Sequence, residues 1–160
     1  MSAAHRLGLV TAALAVALAA VMPVAAACSN DVDERNAYVA AVNRAQTDFR
    51  STFEQLGSRI TATSSPQEDR RTLRGFSDAV DRAVVRLRRV APPAEVRTLH
   101  DRLISSIDAY GREIDKARTA FRSTSTARII EAQTQLISAI TAVSGRINRT
   151  IAEINRALKE

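Results

Sequence analysis

Apolar residues recur at spacings of three and four along most of the chain, the period of a helix that buries one stripe. Four stripes are legible. The first, over residues 31–60, carries Tyr38, Val42, Ala45, Phe49, Phe53, Leu56 and Ile60. The second, over 66–90, carries Leu73, Phe76, Val80, Ala83, Leu87 and Val90. The third, over 94–122, carries Val96, Leu99, Leu103, Ile107, Tyr110, Ile114, Ala117 and Phe121. The fourth, over 126–159, carries Ile130, Ile137, Ile140, Val143, Ile147, Ile151, Ile154 and Leu158.

The gaps between stripes have physical causes. Hydroxyls in Thr61-Ala62-Thr63-Ser64-Ser65 compete with helical hydrogen bonds. Ser65-Pro66-Gln67-Glu68 then reads as a helix start, with Ser as cap, Pro in the first turn and Glu three residues after the cap. Pro92-Pro93 ends the second helix, because neither residue donates an amide hydrogen. Ser123-Thr124-Ser125-Thr126 is the weakest break, and one bent helix from Ala94 onward is the alternative there. Short connections force consecutive helices to alternate direction. The predicted fold is all-α, an elongated antiparallel up-down-up-down four-helix bundle. Ala45, Ala83 and Ala117 are expected to allow close helix approach.

The N-terminus lies outside that pattern. It opens Met1-Ser2-Ala3-Ala4-His5-Arg6, runs without charge from Leu7 to Val21, and closes Pro23-Val24-Ala25-Ala26-Ala27-Cys28. A basic start, an apolar middle and a small-residue end have the form of a secretory signal peptide. The apolar run is also long enough to span a membrane if left uncleaved. Cys28 is the only cysteine, so no internal disulfide forms. Its place directly after three small residues resembles the lipobox of bacterial lipoproteins. That resemblance implies cleavage between Ala27 and Cys28, diacylglycerol on the Cys28 sulfur, and attachment to the membrane on its extracytoplasmic face. Ala25 stands where that family usually has Leu. Ala25-Ala26-Ala27 also reads as an ordinary cleavage site, which leaves a secreted, non-lipidated helical protein as an alternative. The expected organisation is a signal peptide over 1–27, a lipidated Cys and short tether over 28–30, and a bundle domain over 31–160.

Composition adds to this picture. Of 23 basic residues only Lys116 and Lys159 are lysine, a bias that accompanies GC-rich coding. With the Ala and Val richness, the chain looks similar to small helical envelope lipoproteins of actinobacteria, a resemblance that implies location and fold only. Removal of Arg6 with the signal leaves a net charge of +5 from the +6 of the whole chain. Arg82, Arg86 and Arg89 share a helix face and are candidates for contact with anionic lipid or an acidic envelope polymer. The competing reading is a solvated face made basic by codon usage. Nothing in the chain has the motifs of a nucleic-acid reader.

A search for catalytic chemistry returns little. The five glycines never cluster into a phosphate-cradling loop. No nucleophile elbow or paired metal-binding histidine is present. His100 is the one histidine left after processing, and with Leu99 beside it it is expected on the helix surface, where His100→Gln would change little. Asp31 with Arg35, Asp78 with Arg82, and Asp108 with Arg112 are expected as surface ion pairs along a helix. Ala132 to Gly145 carries no charge, which is expected to make the fourth helix the most buried or, alternatively, to give it a face for a partner helix or for self-pairing. Asn148-Arg149-Thr150 matches a glycosylation acceptor and is read as chance.

The reading is therefore a non-catalytic, exported, membrane-anchored helical protein with no cofactor and no metal. Its expected role is binding or scaffolding at the envelope, with a carrier or sensor of a small apolar ligand between the helices as the alternative.

Overall fold

The structure is a computed structural model that describes residues 29–59, 66–120, 122–123 and 125–159. Residues 1–28, with the expected signal peptide and Cys28, lie outside the described residues, as do the side chains of Ile60, Phe121 and Ile130. The described residues are all-helical. Helix α1 is Ser29–Gly57, α2 is Pro66–Arg88, α3 is Arg97–Ala120 and α4 is Thr126–Ala157. A single 3₁₀ turn, Ala94–Val96, precedes α3.

Local chemistry explains the boundaries. Helix α2 tightens at its end, where the amides of Arg89 and Val90 bond to the carbonyls of Arg86 and Leu87 at 3.1 and 2.9 Å. Two prolines then stop it. The Val96 amide bonds to the Pro93 carbonyl at 3.1 Å, and Val96 itself is fully buried, so this turn is pinned by the core. The expected third helix thus begins three residues late, at Arg97, because residues 94–96 follow the tighter 3₁₀ path. Helix α3 ends with Arg122 and Ser123 bonding back to Thr119 and Ala120 at 3.1 and 2.9 Å. The extended Ser125 then caps α4, its hydroxyl accepting from the Arg128 amide at 3.5 Å. The third helix thus ends at Ala120 and a separate helix begins at Thr126. Ser29 and Asn30, expected as a tether, are the first two residues of α1.

The stripes meet in one core. Tyr38, Val42, Phe53, Phe76, Val80, Leu103, Tyr110, Ile114, Ile151 and Ile154 are at most 5% exposed. Phe49 and Leu56 pack at its edge. Each helix packs on its neighbour in the chain, α1 on α2, α2 on α3 and α3 on α4. The seam between α1 and α4 has little direct backbone contact. Glycines set two approaches. A Cβ on Gly111 would lie 3.0 Å from Val80 Cγ1, and one on Gly75 would lie 2.9 Å from Leu56 Cδ2. Hydrogen in place of a side chain lets α3 close on α2 at the first, and α2 close on the end of α1 at the second.

Polar ties also join the helices, among them the Ser77 hydroxyl of α2 donating to Asp115 of α3 at 2.9 Å. Arg35, near the start of α1, pairs with Glu95 at 2.7 Å and donates to the Leu158 carbonyl beyond α4 at 3.2 Å. Arg102 of α3 pairs with Glu153 of α4 at 2.6 Å.

Candidate functional site

The arginines singled out by sequence are held outward by the burial of Val80, Ala83, Val84 and Leu87 on the opposite side of α2. Arg82, Arg86 and Arg89 are all exposed. Arg86 pairs with Asp48 of α1 across a shallow notch of about 20 Å³ that Arg82 also lines. Arg82, Arg88 and Arg89 make no ion pair among the described residues, and the expected Asp78–Arg82 pair does not form. Val85 sits among these arginines at 46% exposure, the one exposed large hydrophobic side chain among the described residues. Sequence reasoning missed it, although the signal was there. Val80, Ala83, Val84 and Leu87 fill the inward arc of α2, and Val85, a further turn of about 100° round from Val84, falls outside it.

The expected Asp108–Arg112 pair is present on α3. The expected Asp31–Arg35 pair is replaced, because Arg35 turns to Glu95 and Leu158, where it ties three segments together.

His100 corrects the sequence reading outright. It is 2% exposed, not on the surface. Its Nε2 lies 3.0 Å from the Leu87 carbonyl, which can only accept, so Nε2 carries the proton. Nδ1 is then free to accept from the Tyr38 hydroxyl at 3.2 Å. The imidazole thereby joins α1, the last turn of α2 and the start of α3. Burial holds its pKa below the ordinary 6.5, against the smaller raising effects of the Leu87 bond and the Asp101 charge. Burial likewise pushes Tyr38 up to about 12, so its hydroxyl stays a donor. Tyr110, in edge-on contact with Phe53 at 5.6 Å, is also raised by burial, and its hydroxyl has no hydrogen-bond partner among the described residues.

Helix α4 is not the most buried helix. Nine of the 24 residues of α3 are buried, against eight of the 29 in α4 whose burial is described. Between Ala132 and Gly145 the core takes Ala132, Leu136, Ile140 and Val143, while Thr134, Gln135, Ser138, Thr141 and Ala142 are exposed. Missing charge reflected a neutral hydroxyl and amide face, not deeper burial. Thr150 of the glycosylation match is buried, and its hydroxyl bonds to the Arg146 carbonyl at 3.0 Å.

An apolar hollow of about 30 Å³ lies where all four helices face one another, between Val42, Phe49, Leu87, Leu103 and Ile151. A water needs roughly 10–15 Å³ of such space, so the hollow is far smaller than an acyl chain. Among the described residues no three His, Cys, Asp or Glu side chains converge as metal ligands. No helix among them is long and apolar enough to cross a membrane. No family model matches the chain, and neither a curated protein nor a solved structure is similar to it.

Proposed function

We propose that the chain is a non-catalytic, lipid-anchored helical protein on the extracytoplasmic face of the cell membrane, where it binds or scaffolds envelope components through its helix surfaces. The observation that carries this reading is the position of Cys28. The sole thiol follows Ala25-Ala26-Ala27 directly, and a folded helix begins at the next residue, Ser29. Acylation there would place the domain at the headgroups with no intervening linker. Lipid chains contribute about 0.8 kcal/mol per buried CH₂, enough for several chains to hold a domain firmly.

The arrangement proposed for the domain is the elongated antiparallel up-down-up-down bundle. Support comes from contacts that join Tyr38, in the first half of α1, to the end of α2, Arg35 to the carbonyl of Leu158, and Leu56 at the end of α1 to Gly75 of α2. Envelope proteins, anionic lipids and anionic polymers are the partner classes that its charged surfaces fit, and nucleic acid is not among them.

Mass spectrometry of the processed N-terminus tests the anchor. The expected species begins at Cys28 and carries the added mass of acyl chains. Cys28→Ser should release the protein from the membrane fraction. A mature chain with an unmodified Cys28, recovered in the soluble fraction, would overturn the reading and favour the secreted alternative.

A carrier or sensor of a small apolar ligand is the second reading, and the apolar hollow of about 30 Å³ marks where such a ligand would sit once the hollow widened. Widening of the α1–α4 seam would be required for loading. Delipidation followed by mass analysis of bound material separates the two. A stoichiometric extracted ligand supports the carrier, and an empty interior supports the surface role.

A further inference from the structure

We propose that the outward face of α2 is a bilayer-contacting surface that lays the protein on its side against anionic lipid. The proposal rests on the anchored reading only for the means that brings the protein to the membrane.

Arg71, Arg74, Asp78, Arg82, Val85 and Arg89 follow one another at spacings of three and four, and all are exposed. They therefore form one stripe along the outer side of α2. From Arg82 to Arg89 the segment holds four arginines and no carboxylate. The whole stretch from Pro66 to Arg89 has seven arginines against four carboxylates, a net of +3. Helix α1 beside it has three arginines against five carboxylates, a net of −2. Arg-rich coding would raise the charge of every face, yet α4 turns a neutral row of Thr134, Gln135, Ser138 and Thr141 outward. Exposed Arg128, Arg146, Arg149 and Arg156 give α4 a net +2 of its own, so what sets the end of α2 apart is its density, four arginines within eight residues. Asp78 is the one carboxylate in the stripe, and Arg86 at its edge is already neutralised by Asp48.

Charge alone would fit any polyanion. Val85 narrows the choice to a bilayer. At 46% exposure its methyl groups meet water in the middle of the arginine cluster. Arginine stems can lie along an apolar boundary while their guanidinium groups reach phosphate, so a valine between them can enter the headgroup region. Phosphate oxygens also match the fork of guanidinium donors. Arg86 pairs with Asp48, nineteen residues past Ser29, so the cluster lies beside the middle of α1 and meets the bilayer only when the domain lies on its side.

The chain has no tryptophan, so a Val85→Trp variant carries a single indole probe at this face. Thr141→Trp, on the outward side of α4, is the matched control. Each full chain is expressed with its signal in a processing host and reconstituted on neutral phosphatidylcholine vesicles, with or without phosphatidylglycerol. Bromine on the acyl chains quenches an indole that has entered the bilayer. The expected result is at least twofold quenching at position 85 on anionic vesicles, little on neutral ones, and none at 141. Added salt, and Arg82→Glu with Arg89→Glu, should abolish the quenching while circular dichroism stays unchanged. Equal quenching at 85 and 141, or none at 85 on anionic vesicles, would overturn the proposal. Salt-sensitive vesicle retention without quenching at 85 would likewise overturn it and assign the face to a polyanion. Loss of retention on neutral vesicles would count against the anchor alone, because position 85 reports on the face whether or not the chain is acylated.

Discussion

At His100 a single imidazole satisfies the carbonyl of one helix, accepts a hydroxyl from another and belongs to a third. Neutral His100 suits both bonds, whereas a charged ring would present a second N–H to a hydroxyl that is itself donating. The folded protein therefore binds that proton less readily than the unfolded chain. Since the unfolded state takes up the proton first as pH falls through about 6.5, folding stability should be greatest above that pH and decline below it. Denaturant titrations at stepped pH should show this slope, and His100→Gln should flatten it. The same substitution should also cost about 1–3 kcal/mol at neutral pH, because one amide cannot replace both ring contacts in a buried site. Tyr38→Phe leaves Nδ1 buried without its donor and should cost a similar amount, measured by chemical denaturation. An unchanged midpoint in both variants would show that these bonds do not support the fold. The sequence contained the clue. Val96, His100, Leu103, Ile107, Tyr110, Ile114 and Ala117 alternate steps of four and three without a fault. Choosing Leu99 for the stripe favoured residue type over spacing. Leu99 is only partly buried, and the histidine holds the core position.

At the scale of helices, patterning was informative and charge was not. The stripes carried most of the core because burial follows the helical period. Absence of charge in α4 told nothing about depth, since Thr, Ser, Gln and Ala serve outward positions as well as inward ones. The ion pairs of Asp31 and Asp78 were misread for a related reason. Spacing brings such pairs within reach, but Arg35 finds Glu95 and a free carbonyl across the fold. Close approaches between helices were invisible beforehand, because a glycine in a helix reads only as a weakness. Gly111 shows the difference. Alanine there should favour the isolated helix by about 1 kcal/mol. In the protein the new methyl would lie 3.0 Å from Val80 Cγ1, and Val80 is 1% exposed and stiff at its branched Cβ. Gly111→Ala should therefore lower the melting temperature. In a Val80→Ala background, where the opposing methyls are gone, the same change should be neutral or raise it. Equal effects in both backgrounds would sink this account of the α2–α3 contact.

For the whole molecule, packing runs along the chain order, and α1 leans chiefly on α2 while α2 and α3 are each flanked by two helices. Stability should be graded to match. Native-state hydrogen exchange should find the middle of α3 opening only with global unfolding, while amides of α1 from Thr47 to Gln55 open at lower free energy. Uniform protection across the four helices would contradict the grading. Cys28 and the residues before it lie outside the described residues, so their reading as an export signal rests on residue types alone.

One consequence follows from Arg35 and its two partners. Any load carried along the backbone at Ser29 enters the fold within two turns of the guanidinium that grips Glu95 and Leu158. Tension at that point has to break both of these contacts before it reaches the rest of the helix. The molecule should therefore resist traction from its amino end better than traction on Gly57, even though both residues belong to the same helix.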